Sequence, residues 1–170
     1  MPIVCETERL VIRRFNLNDA EFILQLLNEE SFIRYIADKN VKTIDEAIKY
    51  LEDGPMTCYQ IHGFGLSLVQ LKETGARIGM CGLLKRDELE FPDLGYAFLS
   101  EFCGKGYANE AADSILKTEM NDHSLVQVLA VTLPDNVKSN KLLKNIGFTF
   151  NGTMDLYNTL NNVYEFSVTS

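Results

Sequence analysis

The sequence predicts an α+β fold with a mixed β-sheet, and three observations carry that prediction. Branched and aromatic residues form seven short runs that are typical of strands. Apolar residues recur at helical spacing in four segments that lie between those runs. No internal repeat and no long polar linker interrupts the chain, so we expect one domain over residues 1–170.

The opening residues predict a first strand and a first helix. Arg9–Phe15 is rich in branched side chains with partial alternation, which is typical of a strand. Asn18 and Asp19 then offer N-caps for a helix. Its apolar face is formed by residues at helical spacing: Phe22, Ile23, Leu26 and Leu27.

A second helix and a β-hairpin are expected next. Thr43 is a suitable N-cap for a helix over Ile44–Leu51, and Gly54–Pro55 predicts its end. Phe64–Leu71 and Ala76–Leu84 have the composition of strands, and the four residues between them end in glycine. This pattern predicts that the two strands pair as a hairpin.

The second half of the chain predicts alternating strands and helices. Leu94–Leu99 is expected to be a strand, and an amphipathic helix begins just after Gly106. Val126–Leu133 has the continuous apolar composition of a buried strand, and Asp135–Asn136 caps a short helix that Gly147 ends. The tail adds two short strands: Phe148–Phe150 and Val163–Val168.

The formal net charge of −8 limits the classes of partner. Nucleic-acid-binding proteins present a basic face, and anionic membranes attract basic proteins, so we expect neither nucleic acid nor membrane as a partner. An acidic surface mildly favours cationic partners such as amines. Solubility alone also accounts for such a charge.

The cysteine pattern predicts neither a metal site nor disulfide bonds. No two cysteines form a C-x-x-C pair, and the two histidines are not spaced with them as metal ligands. The opening residues lack the features of a signal peptide, and no run approaches the length of a membrane span. We therefore expect a cytoplasmic protein with reduced thiols at Cys5, Cys58, Cys81 and Cys103.

A glycine-containing turn carries the clearest chemical signal. Gly104, Lys105 and Gly106 lie between a strand and a helix, whose first N–H groups have no partner within the helix. Glycines let an anion approach the backbone closely, and Lys105 would add a charge, so the turn suits a phosphate. The pattern also fits an ordinary strand-to-helix turn. It matches neither a P-loop nor a dinucleotide-binding fingerprint.

Four stretches, in order along the chain, resemble the GNAT superfamily of acetyltransferases, and within it the branch that acetylates ribosomal-protein N-termini at alanine or serine. Cys103–Ala108 resembles the pyrophosphate motif [R/Q]-x-x-G-x-[G/A]. Residues 7–13 resemble the opening strand of that branch, and 78–83 with 93–99 resemble its central strands. Residues 136–148 resemble its late cofactor helix and the strand that follows.

The resemblance implies a mostly antiparallel central sheet of about seven strands, flanked by helices, with a splayed strand pair where acetyl-CoA binds as co-substrate. The pantetheine arm of acetyl-CoA would pair with the backbone of Phe98 and Leu99. Asn136 would contact this arm, and Ser139 would lie near the thioester sulfur. Cys103 replaces the usual Arg or Gln of the motif, and we expect a buried, inert thiol there, with a modifiable thiol as the alternative. The pyrophosphate would be held by residues of the turn and helix start: Gly104, Lys105, Gly106, Tyr107, Ala108 and Asn109.

Catalysis by direct transfer needs a proton acceptor, a donor to the carbonyl oxygen and a proton donor to the sulfur. Asp93 is the first candidate for the acceptor, with Glu90 or a water chain as alternatives. A backbone N–H of the third central strand would bind the carbonyl oxygen. Ser139 is the stronger candidate for the proton donor, and Tyr157 is the weaker one.

Several functional alternatives remain open at this point. A route through a covalent thioester at Cys81 or Cys103 would need an activating base nearby. The chain would alternatively be a catalytically silent acyl-CoA-binding module, or a transferase for another acyl-CoA. The acceptor is expected to be a small amine or a protein N-terminus, bound by the segments 28–53 and 150–162. The protein is expected to be a monomer or a homodimer.

Overall fold

The computed structural model describes residues 2–168, which form one eight-stranded sheet with helices on both faces. Short 3-10 turns cover Leu17–Asp19 and Ser100–Phe102. The strands are β1 (Ile3–Glu6), β2 (Leu10–Arg14), β3 (Leu66–Leu71), β4 (Arg77–Leu84), β5 (Asp93–Phe98), β6 (Gln127–Thr132), β7 (Thr149–Leu156) and β8 (Thr159–Ser167). The helices are α1 (Ala20–Leu27), α2 (Glu30–Tyr35), α3 (Ile44–Leu51), α4 (Thr57–His62), α5 (Tyr107–Asp122) and α6 (Val137–Asn145).

The sheet is mixed and mostly antiparallel, as predicted. Its strand order is β1-β2-β3-β4-β5-β6-β8-β7, and the β5–β6 neighbours run parallel while the other neighbours run antiparallel. The strand that was not predicted from the sequence is β1 (Ile3–Glu6), which pairs with β2 at one edge of the sheet. Its four residues lie before the first predicted strand and are too few to show the alternation by which a strand is identified.

Each face of the sheet buries a separate hydrophobic core. One core packs α5 and α6 against side chains that include Leu94 and Phe98 of β5. The other packs α1 and α3 against the opposite face, near Ala97. Since successive side chains of a strand point to opposite faces, β5 contributes to both cores. This alternation decides on which side of the sheet each candidate site residue lies.

The start of the first helix agrees with the prediction in position but not in hydrogen bonding. Asp19 is the N-cap residue of α1, but its side chain makes no cap hydrogen bond to the helix. Asn16 caps the preceding 3-10 turn, and its side chain accepts from the N–H of Asn18. Asp19 is instead fully buried and binds two guanidinium groups, those of Arg13 at 2.9 Å and Arg77 at 2.8 Å. The carboxylate thus joins Arg13 of β2 and Arg77 of β4 to the turn before α1, a contact between distant residues that helical periodicity does not reveal.

Two segments have more regular structure than the sequence predicts. Gly54–Pro55 does not end the helical path, because a π-helical turn over Glu52–Met56 carries the chain from α3 into α4. Residues 150–162, expected to be a loop near the acceptor, belong to the β7–β8 hairpin. Tyr157 and Asn158 form its two-residue turn with positive φ angles of 53° and 62°.

Candidate active site

Strands β5 and β6 lie side by side but separate soon after they meet. Among residues 2–168 they share one register pair, Asp93 with Leu129. The N–H of Leu129 donates to the carbonyl of Pro92 at 2.9 Å, which fixes the start of the pair. β6 stays paired with β8 as far as Thr132. The two strands therefore enclose a wedge, called here the β5–β6 gap, which corresponds to the splayed pair that the resemblance implies.

Backbone groups of β5 point into this gap. The N–H of Leu99 donates to Ile78 O at 2.9 Å, and in an antiparallel pair such residues alternate with residues whose polar groups point away from the partner strand. Phe98 directly precedes Leu99, and Tyr96 lies two residues before Phe98, so both have their N–H and C=O groups on the side away from β4. These groups therefore point into the gap. The carbonyl of Leu99 accepts from Phe102 N–H at 3.0 Å, so both backbone groups of Leu99 are engaged within the chain.

The glycine turn ends in a helix start without a side-chain cap. Gly104 and Gly106 have φ angles of 81° and 84°, a left-handed conformation that glycine adopts without strain. Gly106 is the N-cap of α5, and no side chain of residues 2–168 caps this end. The N–H of Glu110 makes the first helical bond, to Gly106 O at 3.1 Å. Three N–H groups precede that bond and suit an anion: those of Tyr107, Ala108 and Asn109.

Arg9 lies beside this turn, and the sequence patterns did not identify it as a site residue. Its Nε donates to Glu110 Oε1 at 2.8 Å, and its Nη1 donates to Lys105 O at 3.0 Å. Its guanidinium carbon lies 4.4 Å from the centre of the Tyr107 ring. A cation is thus fixed next to the glycine turn by contacts between residues 101 positions apart, which no local pattern reports.

Cys103 is exposed, so the expectation that this residue is buried is wrong. The chain leaves the core at the 3-10 turn Ser100–Phe102, and Cys103 Sγ lies 3.6 Å from Leu99 O. Lys105 is exposed as well, with Nζ 5.9 Å from the centre of the Phe102 ring. The turn itself therefore contributes one charged side chain, Lys105, in addition to its backbone.

The start of α6 brings Ser139 to the gap. Asn136 Oδ1 accepts from the N–H of Ser139 at 3.3 Å, as expected for an N-cap. The hydroxyl of Thr132 at the end of β6 lies 2.5 Å from Asn140 Oδ1, which joins that strand to α6. The hydroxyl of Ser139 lies 2.5 Å from the hydroxyl of Tyr96. Ser139 is therefore connected to β5 across the gap.

Asp93 is fully buried at the first residue of β5. Arg86 donates to its carboxylate from Nε at 3.1 and 3.2 Å and from Nη2 at 2.9 Å. Burial raises the pKa of the Asp93 carboxyl, and the charge of Arg86 offsets only part of that rise. Asp93 and Tyr96 stand three residues apart on one strand, so their side chains lie on opposite faces of the sheet. Asp93 and Ser139 therefore flank the gap from opposite sides.

The other predicted acid–base residues lie on the Asp93 side or in solvent. The hydroxyl of Tyr157 donates to Glu88 Oε1 at 3.4 Å, and its ring centre lies 6.0 Å from the guanidinium carbon of Arg86. Glu90 is exposed. Of the two hydroxyls expected to donate a proton, that of Ser139 lies at the gap, and that of Tyr157 lies beside the Arg86–Asp93 pair.

A covalent route through Cys81 is disfavoured. Cys81 is fully buried in β4, and burial raises the pKa of its thiol far above the usual value. A nucleophilic cysteine needs a lowered pKa, because the thiolate is the reactive form.

Within residues 2–168 no cluster of three or more His, Cys, Asp or Glu side chains suits a metal ion. In the same residues no helix has the length and hydropathy of a membrane span.

Comparison with known proteins agrees with this geometry. Residues 9–149 match the family model of the acetyltransferase (GNAT) domain. The uncharacterized N-acetyltransferase YoaA of Bacillus subtilis (strain 168) is 26% identical over 156 residues, covering 91% of this chain and 87% of YoaA. An acetyltransferase from Agrobacterium tumefaciens str. C58 superimposes with a TM-score of 0.85 at 21% identity, over 99% of this chain and 95% of that one. The ribosomal L7/L12 alpha-N-protein acetyltransferase RimL, in complex with coenzyme A, superimposes with a TM-score of 0.80 at 16% identity, over 98% of each chain.

Proposed function

Because the chain belongs to the acetyltransferase (GNAT) family, we propose that it is an acetyl-CoA-dependent N-acetyltransferase that acts on a primary amine by direct transfer, with residues 1–170 forming one such domain. The observation that supports this most is that the β5–β6 gap opens beside an uncapped glycine turn. An extended thioester arm that ends in a pyrophosphate needs these two features side by side. The name of the neighbour RimL pairs coenzyme A with a protein N-terminus, which supports an amine acceptor.

The residues of the gap and the turn fit acetyl-CoA. The backbone of Phe98 and the carbonyl group of Tyr96 would pair with the pantetheine arm as an added strand does, with Leu99 at the end of that edge. The first-turn N–H groups of α5 would bind the pyrophosphate, and Gly104 leaves the approach open, since a Cβ there would meet no atom within 4 Å. Asn136 would contact the arm. The charged side chains that would add to phosphate binding are Lys105 and Arg9.

In the proposed transfer a nitrogen–carbon bond forms, the carbon–sulfur bond breaks, and its electron pair goes to sulfur. The N–H of Tyr96 in the gap donates to the carbonyl oxygen as charge builds there. Ser139 donates a proton to the leaving sulfur. Asp93 accepts a proton from the ammonium form of the acceptor through water, because Arg86 covers its carboxylate. Its raised pKa makes it a stronger acceptor than an exposed carboxylate.

Replacing Asp93 with Asn tests the proton acceptor. We expect Asp93→Asn to lower the rate about tenfold, a modest loss because water remains as a second acceptor. In the wild type the rate should rise as pH increases through the Asp93 pKa, since only the carboxylate accepts a proton, and that pKa lies above the usual value. The variant should lack this rise in a profile of kcat/KM against pH. Glu90→Gln is the comparison variant. If Glu90→Gln loses the rise of kcat/KM with pH and Asp93→Asn keeps it, the proton acceptor is Glu90.

The acceptor is proposed to approach from the face that carries Asp93 and Arg86. The β7–β8 turn lies there, with Tyr157 over Arg86, so this hairpin would form one wall of the acceptor site. The test is a screen of amine classes with acetyl-CoA in which release of free thiol is measured. Binding of coenzyme A without turnover of any amine would indicate a silent acyl-CoA-binding module. Faster turnover of a larger acyl-CoA would indicate a different donor.

Binding of acetyl-CoA should raise the melting temperature of the protein. A ligand at 100 times its Kd stabilises the folded state by about 2.7 kcal/mol, because it binds that state alone. For a chain of this size the gain corresponds to a rise in Tm of roughly 5–10 °C. Thermal melts with acetyl-CoA, ATP and NAD measure the effect, with the smaller rises expected for ATP and NAD. Equal stabilisation by NAD would contradict the proposed co-substrate.

A further inference from the structure

Tyr96 carries a hydroxyl that the proposed transfer does not use. This hydroxyl lies 2.5 Å from Ser139 Oγ and 3.4 Å from Ser139 O. Tyr96 stands three residues beyond Asp93, where pairing with β6 stops, and Ser139 lies in the first turn of α6, which follows β6. The two hydroxyls therefore meet across the gap, where the thioester would be held.

Either hydroxyl of this pair can donate, and a phenol is ordinarily the stronger donor, which favours donation by Tyr96. Burial raises the pKa of the phenol strongly, by more than its hydrogen bond with Ser139 lowers it, so the phenol keeps its proton. The N–H of Ser139 is fixed on Asn136 Oδ1, so the first turn of α6 holds this side chain in place. A serine hydroxyl accepts one hydrogen bond and donates another at the same time. When Ser139 Oγ accepts from the phenol, its own proton is free to point elsewhere.

We propose that Tyr96 is a positioning residue for the transfer: it donates a hydrogen bond to Ser139 Oγ and directs the Ser139 proton towards the sulfur. This inference rests on the proposed function. As the carbon–sulfur bond breaks, sulfur takes the electron pair and the proton of Ser139. The oxygen of Ser139 then recovers a proton that the amine has released. Tyr96 keeps its own proton throughout.

Geometry also argues for positioning rather than for proton donation by Tyr96 itself. The Tyr96 hydroxyl lies 2.5 Å from Ser139 Oγ, so a proton that it donates to this oxygen is not available to the sulfur. The donated hydrogen bond restricts Ser139 to the orientation that the reaction requires.

The test is a double-mutant cycle on Tyr96 and Ser139 with steady-state kinetics. Tyr96→Phe removes only the hydroxyl and keeps the ring that packs in the core, so we expect a Tm no more than a few degrees below that of the wild type and an unchanged Kd for coenzyme A. Its kcat should fall about fivefold to tenfold, the effect of one lost hydrogen bond. In the double variant Tyr96→Phe/Ser139→Ala, kcat should equal that of Ser139→Ala alone, because both changes act on one hydroxyl. Tyr164→Phe changes a neighbouring buried ring in the same way and should keep the wild-type kcat.

Two outcomes would overturn this role for Tyr96 while leaving the proposed function intact. One is a wild-type kcat for Tyr96→Phe, and the other is a double variant whose loss equals the product of the two single losses, since that result makes Tyr96 independent of Ser139. A fall in kcat for Tyr164→Phe equal to that for Tyr96→Phe would also overturn it, because the effect would then come from general packing. Failure of the proposed function would give a different result: the wild type would release no thiol with any amine.

Discussion

Ser139→Ala should lower kcat by ~10²-fold or more while the KM for acetyl-CoA stays within a few-fold of the wild-type value. The hydroxyl is proposed to act on sulfur only as the thioester breaks, and an interaction made mainly in the transition state appears in kcat. The cap at the start of α6 should survive, because Asn136 accepts from the backbone N–H of Ser139 and not from its side chain. Steady-state kinetics with measurement of free thiol, together with the Kd of coenzyme A, check the expectation.

The control for this variant is Ser114→Ala. Ser114 lies on α5, where its hydroxyl donates to Cys5 Sγ at 3.4 Å, so the substitution removes a partly buried hydroxyl of the same kind from another place. We expect its kcat to equal that of the wild type. If Ser139→Ala also retains the wild-type kcat, the proton donor is water, and the enzyme works mainly by holding the two substrates in position.

Gly106→Asp should weaken the binding of coenzyme A by on the order of 10²-fold or more, since it places a carboxylate where the pyrophosphate would bind. The added side chain would also attract Arg9, whose Nη2 lies 3.3 Å from a Cβ built at this position. Isothermal titration with coenzyme A measures the loss. Pantetheine, which has no phosphate, should bind the variant and the wild type equally.

Gly106→Asn separates charge from backbone strain. Position 106 has a positive φ of 84°, so any side chain is strained there, but Asn and Asp tolerate this conformation better than most residues. The two side chains have nearly the same shape and differ in charge. We expect Gly106→Asn to bind coenzyme A within about tenfold of the wild type. Equal losses in the two variants would show that strain, and not repulsion of a phosphate, causes the weaker binding.

Elements with strong local signals could be predicted from the sequence. Thr43 at the N-cap of α3 and Asn136 at that of α6 are confirmed, because short-range hydrogen bonds decide where a helix begins. The hairpin of β3 and β4 is also confirmed, because each strand has a clear composition and the turn between them is short. The β7–β8 hairpin was largely missed, since most of β7 is exposed and polar, and the pairing rather than the composition makes it a strand.

Contacts between distant residues could not be predicted in the same way. Arg9 reaches the glycine turn through a fold that brings the start of β2 next to the start of α5. Arg86 covers Asp93, and Asp19 binds two arginines, because burial forces a carboxylate to find a cation. The residue types at Ser139 and Asp93 suggested acid–base roles, but their positions on opposite faces of the sheet follow from the alternation of side chains along β5 and from the packing of α6 on one face.

The single register pair between β5 and β6 also has a consequence for how the chain folds. Strands β6 to β8 and α6 are close in sequence and contact one another, while β1 to β5 form a separate run of antiparallel pairs. A parallel pair needs a crossover, here α5, and this pair is a single register pair long, so the backbone pairing between the two halves is weakest at the gap. The core that packs α5 and α6 against the sheet contains residues of both halves and holds them together. A ligand bound to both edges of the gap would increase the cooperativity of unfolding for the whole chain.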